Sequence, residues 1–167
     1  MQQDGNSRKM SIAPARVWVL GPALFVIAVL TAGTPSSHDP IESVVPDTTI
    51  TVHTYGAELA FDPDRITVKA GTTVRIRYIN ESPLSHNLVV VREEDDIDVL
   101  GVAALDARKT EYIPQQHKER ILGHSPLAAT GRTVEFTFTA PPAGDYFFVC
   151  LVDGHYNMMV GTLRSIP

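Results

Sequence analysis

The chain predicts an all-β protein, a Greek-key β-sandwich of short strands with one short helical excursion between residues 93 and 125. Three observations carry this expectation. From Thr48 onward, apolar and polar residues alternate with period two in one segment after another, as in strands with one face on a core. Turn-forming residues such as Ala70-Gly71 and Pro141-Pro142-Ala143-Gly144 punctuate these segments. Only residues 93–125 break the alternation.

The elements follow in order. Thr49-Ile50-Thr51-Val52-His53 alternates, as does Ile66-Thr67-Val68-Lys69 before its turn. Val74-Arg75-Ile76-Arg77-Tyr78-Ile79 alternates strictly. Residues His86 to Arg92 form a β-branched run, and Val134 to Thr139 alternates again. Tyr146 to Cys150 follows the Pro-Pro-Ala-Gly turn, and Met159 to Ile166 closes the chain. About seven short strands with turns between them predict an antiparallel sandwich. The exception begins with Glu93-Glu94-Asp95-Asp96 and runs into Val99-Leu100-Gly101-Val102-Ala103-Ala104-Leu105, which suits a short helix on the outside of the sandwich.

The segment before the domain has a different character. Residues 1–16 carry Arg8, Lys9 and Arg16, and Val17 to Ala32 is uncharged and apolar. A basic flank before an apolar run reads as an export signal, with cleavage expected after Gly33, or as a retained N-terminal membrane anchor. Both readings export the rest of the chain, to the periplasm or the extracytoplasmic face of a membrane, because the positive flank stays inside. The Thr/Pro/Ser-rich stretch that follows reads as a linker, giving a signal or anchor at 1–33, a linker at 34–47 and one domain at 48–167.

Composition narrows the function. The 167 residues include 14 Lys and Arg against 19 Asp and Glu, a net charge of −5. An acidic chain without clustered basic residues is a poor partner for nucleic acid. There is one cysteine, Cys150, so no disulfide can form within the chain. In an exported protein such a cysteine is a free thiol, an intermolecular bridge or a metal ligand.

The chemistry gathers near the C-terminus, where Cys150, His155, Met158 and Met159 stand within ten residues. His86 opens an earlier predicted strand after the loop Asn80 to Ser85. One thiolate, two imidazoles and a thioether form a particular donor set. Two His and one Cys in a plane with a long axial Met make a blue-copper electron-transfer site. Thiolate and thioether suit Cu(I), imidazole suits both oxidation states, and zinc uses thioether poorly. The plain alternative is a buried apolar thiol, since Tyr146, Phe148 and Cys150 share one strand face, with the methionines as core.

These residues resemble the cupredoxins, and specifically the azurin and auracyanin group, over about residues 49–167. Three stretches carry the resemblance: Phe61-Asp-Pro-Asp-Arg-Ile-Thr-Val-Lys-Ala-Gly-Thr-Thr-Val74, His86-Asn87-Leu-Val-Val, and Gly144-Asp-Tyr-Phe-Phe-Val-Cys150 through Gly154-His155 to Met159-Val-Gly161-Thr-Leu163. The resemblance implies one bound copper ion, with His86, Cys150 and His155 as in-plane ligands and Met159, rather than Met158, as the axial one. It implies that Asn87 braces the ligand loops and bonds near the sulfur, and that electrons pass through the edge of His155. The long interval from His86 to Cys150 is azurin-like and fits the excursion. Two departures stand out: Ser85 replaces the glycine common before the first histidine, and the azurin disulfide is missing.

The implied function is one-electron transfer between redox partners, such as a c-type cytochrome or a membrane electron-transfer complex, by a monomer that is not an enzyme. Leu84, Tyr156, Asn157 and Met158 flank the ligands and are expected to form a docking patch. The competing function is copper delivery or resistance, which favours open Met- and His-rich sites. His38, His53, His117 and His124 show no ligand spacing and are expected to be ordinary surface or satisfied histidines.

Overall fold

The computed structural model describes residues 45–167. The expected signal or anchor at 1–33, the greater part of the linker and His38 lie outside the described residues. Among the described residues, no helix is long and apolar enough to cross a membrane.

Eight strands form two sheets. One holds β1 (Thr48–Tyr55), β3 (Thr73–Glu81) and β6 (Thr133–Thr139) in the order β1-β3-β6. The other holds β2 (Arg65–Lys69), β8 (Val160–Ile166), β7 (Gly144–Val149), β4 (Val89–Val91) and β5 (Ile121–His124) in the order β2-β8-β7-β4-β5. The alternation read in the sequence decides which side chains enter the space between them. Val74, Ile76 and Tyr78 of β3 are fully buried there, opposite Phe138 of the neighbouring strand and beside Ile66 and Val68 of β2, Phe148 and Leu163. Arg75 and Arg77 point the other way and reach Glu135 at 3.9 and 3.6 Å, exposed pairs of little energetic weight.

Two expectations are corrected. The sandwich is mixed, not antiparallel: β1 pairs parallel with β3, and β2 pairs parallel with β8. The chain leaves the first sheet for β2 and then returns to it, so its next strand there runs in the original direction. The excursion also does not stay helical to residue 125. It contains helix α1 (Asp95–Ala104) and two short 3₁₀ turns, and then ends in β5, which pairs antiparallel with β4. Ile121-Leu-Gly-His124 is too short to show a period.

The β-branched run has a structural reason. Leu88 and Val90 face the sandwich core, whereas Val89 and Val91 face a second apolar cluster with Leu100, Ala104, Ile113, Val149 and Leu151. A central strand covered on both faces has no polar side to alternate with. Helix α1 supplies the second cover. Asp95, Asp96 and Asp98 occupy its first turn, where the helix dipole favours negative charge. Buried Asp96 pairs with Arg120 just before β5, which anchors the helix to the sheet. Gly101 lets α1 lie directly on the Tyr156 ring, since a Cβ there would sit 2.3 Å from the ring.

Candidate metal centre

Two ends of the fold meet at Cys150. Strand β7 ends at Val149, and Cys150 continues it into the interior, fully buried, with its N–H donating to the Met159 carbonyl at 3.1 Å. His86 lies three residues before β4 and is tied to Ala128 by backbone hydrogen bonds in both directions, at 3.0 and 2.8 Å. The loop from Leu151 to Met158 carries His155 back over the sulfur.

The three donor atoms form a small triangle. Cys150 Sγ lies 3.7 Å from His86 Nδ1 and 3.6 Å from His155 Nδ1, and the two nitrogens are 3.2 Å apart. Bonds of about 2.0 Å to nitrogen and 2.3 Å to sulfur, spread at 120° around one ion, require separations of roughly 3.5 and 3.7 Å. The spacing thus fits a single cation held in the plane of two imidazoles and a thiolate, and the softness of the donors fits copper. His86 and Cys150 are buried and His155 is half-buried.

The surroundings prepare each donor. His86 Nε2 meets Ser82 Oγ at 3.1 Å, a partner that leaves Nδ1 to face the sulfur. Burial, with the nearby His155 second, lowers the His86 pKa to about 4, so its imidazole is neutral over the ordinary pH range. Burial also lowers that of His155, against the opposing charge of Asp153. Burial pushes the Cys150 thiol up to about 11, opposed by hydrogen bonds from the backbone at Val152 and Asn87. A bound cation reverses that balance and draws the thiolate out, because metal binding displaces the proton.

Asn87 is fully buried and spans two elements. Its Oδ1 accepts the Leu151 N–H at 2.8 Å, and its Nδ2 donates to the Glu111 carbonyl at 3.0 Å. The side chain ties the two loops together, and the contact to the sulfur is made by the Asn87 backbone. Of the two methionines, Met159 is fully buried in the cluster that holds Cys150, whereas Met158 is 67% exposed.

The expected docking patch is corrected in part. Leu84 and Met158 are large exposed apolar side chains, and Asn157 is exposed. Tyr156 instead packs against the second apolar cluster, where it fills the space left by Gly101. The other described histidines stand apart: His53 bonds Glu81 at 2.9 Å, His117 lies 3.9 Å from Glu119, and His124 contacts the Ser125 carbonyl.

Sequence reasoning missed Ser82, Arg108, Glu111, Tyr112 and Asp153. Ser82 belongs to a turn in which its N–H donates to Asn80 Oδ1 and its Oγ accepts from Leu84 N–H. Asn-Glu-Ser-Pro is a turn signal that could have pointed there. Nothing local marks the others, whose contacts join residues 16 to 45 positions apart.

Comparison with known proteins agrees with this geometry. Residues 48–164 match the copper binding proteins of the plastocyanin/azurin family. Auracyanin-A of Chloroflexus aurantiacus is 42% identical over 118 residues, covering 69% of this chain and 72% of the relative. The solved structure of auracyanin A, a "blue" copper protein from that bacterium, superposes with a TM-score of 0.67 at 43% identity, over 71% of this chain and 98% of the other. That of auracyanin B gives 0.70 at 28% identity, over 74% and 92%. With the match running from the first strand into the last, the chain belongs to the plastocyanin/azurin family of copper-binding proteins.

Proposed function

We propose that this protein is a one-electron carrier with a single type 1 copper ion held by His86, Cys150 and His155 in plane and by Met159 on the axis. The observation that carries the reading is the triangle of donor atoms, 3.2 to 3.7 Å on a side, assembled from two buried residues and one half-buried one. The burial of Met159 and the exposure of Met158 favour Met159 as the thioether donor. Copper, when bound, supplies the Cu(II)/Cu(I) couple. The residues supply a rigid set of donors acceptable to both states, so little has to move when an electron passes.

His155 is the port for electrons in this reading. It lines a surface depression with Leu84, Ser85, Tyr112, Leu127 and Val152, while His86 is fully enclosed. Leu84 and Met158 add apolar surface for a short-lived contact with a redox protein, such as a c-type cytochrome or a membrane complex. We read the protein as a monomer without catalytic activity, exported by residues 1–33 as a cleaved signal or retained anchor and joined through a linker at 34–47. Enclosure of His86 and Cys150 favours retaining the metal over handing it on, which sets the delivery reading second.

Titration of the full chain with Cu(II), followed by ascorbate, tests the proposal. An intense blue band that saturates at one copper per chain and bleaches on reduction supports it. A colourless complex overturns it and moves copper delivery to the front.

A further inference from the structure

Among the described residues, three that are not glycine have positive φ: Glu111 at 56°, Tyr112 at 65° and Asp153 at 41°. Side chains bearing a Cβ adopt this conformation at a cost, and such strain persists only where its surroundings enforce it. All three belong to one circuit of contacts. Asp153 sits in the loop between Cys150 and His155, and its carboxylate accepts from Tyr112 Oη at 3.0 Å and Arg108 Nη2 at 2.7 Å. The Glu111 carbonyl accepts from Asn87 Nδ2, and Asn87 Oδ1 accepts from Leu151 N–H. The Glu111 carboxylate in turn accepts the Leu127 N–H at 2.9 Å, which fixes the pair to the segment that carries Ala128, the bridge partner of His86.

We propose that Glu111 and Tyr112 are positioning residues, a two-residue strap that holds the first half of the ligand loop at two points, at Leu151 through Asn87 and at Asp153 directly. The strap substitutes for core packing on a loop that must leave His155 partly open. It also gives the long excursion between the first ligand and the rest a role: the excursion delivers residues 108–112 to the rim of the site. The role rests on the copper reading for its purpose, but not for its geometry, which concerns the chain alone.

The experiment uses the full chain and two variants. Tyr112→Phe removes only the hydroxyl. Asp153→Asn removes the charge and keeps a residue that tolerates the left-handed region. In the metal-free protein, amide hydrogen exchange at Leu151, Met158 and Met159 should quicken about tenfold in either variant, the scale of one lost hydrogen bond to a charged group. Exchange in β3 should not change. Effects in the double variant should be less than additive, because both substitutions act on the one Tyr112–Asp153 contact. In protein loaded with Cu(II), release of copper to a chelator should quicken by a similar factor. Loop exchange equal to that of the unaltered protein, additive effects in the double variant, or equal acceleration in β3 would each overturn the strap. Failure of the unaltered chain to form a blue band would overturn the copper reading, while the metal-free exchange still decides the strap.

Discussion

The two histidines that meet at Cys150 are held by opposite means. His86 is locked by the fold: it is fully buried, bonded through its backbone to Ala128 and through its ring to Ser82. His155 rides on an eight-residue loop, stays half-buried, and has Asp153 and its partners for support. The difference teaches how one site can be both rigid and reachable. A ligand enclosed in the core gains fixity from packing but has no surface. In the proposed copper site, a ligand at the rim keeps an edge for a partner and borrows its fixity from hydrogen bonds to distant segments.

Substitution of the shared partner has the largest effect. Cys150→Ser should abolish the intense visible band altogether, read by titration with Cu(II), because the thiolate is the charge-transfer donor common to both sides. An unchanged spectrum would remove Cys150 from the ligand set.

The histidines themselves should then separate. His86→Ala and His155→Ala should both lose the band, but their metal-free stabilities should diverge in urea melts. His86→Ala opens a cavity and leaves Ser82 with one of its two partners, for a cost of about 2–4 kcal/mol. His155→Ala, at a half-exposed loop position, should cost less than about 1 kcal/mol. Equal losses would erase the distinction between core-held and loop-held ligands.

Acid sharpens the same contrast. The His86 pKa is lowered from 6.5 to about 4 by burial, so between those values the unfolded chain takes up a proton that the folded one declines. Stability of the metal-free protein should be level between pH 6.5 and about 8 and fall as pH drops toward 4, with the lowered pKa of His155 adding to the slope. In Ser82→Ala the ring loses its hydrogen-bond partner but not its burial, so the acid slope should remain, in thermal melts across that range. A flat profile in the unaltered protein would mean that His86 is hydrated.

The smallest effects concern the methionines. Met159→Leu should keep a coloured site, raise its reduction potential and cost under about 1.5 kcal/mol, as a near-isosteric change in a packed core. Met158→Leu, on an exposed side chain, should change neither colour nor potential. Voltammetry on the pair distinguishes them, and the reverse result would exchange their roles.

Much of this was legible before the structure. Seven of the eight strands were legible, four of them through period-two alternation, since one-sided burial writes itself into sequence: Val74, Ile76 and Tyr78 inward, Arg75 and Arg77 outward. Cys150, His155 and Met159 were legible because they share one short loop. His86 was picked out as the second imidazole at the start of a strand, and Asn87 stood out only through the resemblance to a family. Strand β5 was hidden by its length, and Tyr156 misled because an aromatic in a loop looks like surface until its counterpart, Gly101, is known to lie across from it.

The sequence by itself determined the fold class, the donor types and the loop that carries most of them, because each is a local property of neighbouring residues. The tertiary structure decided the parallel strand pairs, the meeting of His86 with Cys150 across 64 residues, and the Glu111–Tyr112 strap. These depend on where the chain returns after leaving a sheet. Pairings between distant segments are set by the packing of the whole core, and no local pattern records them.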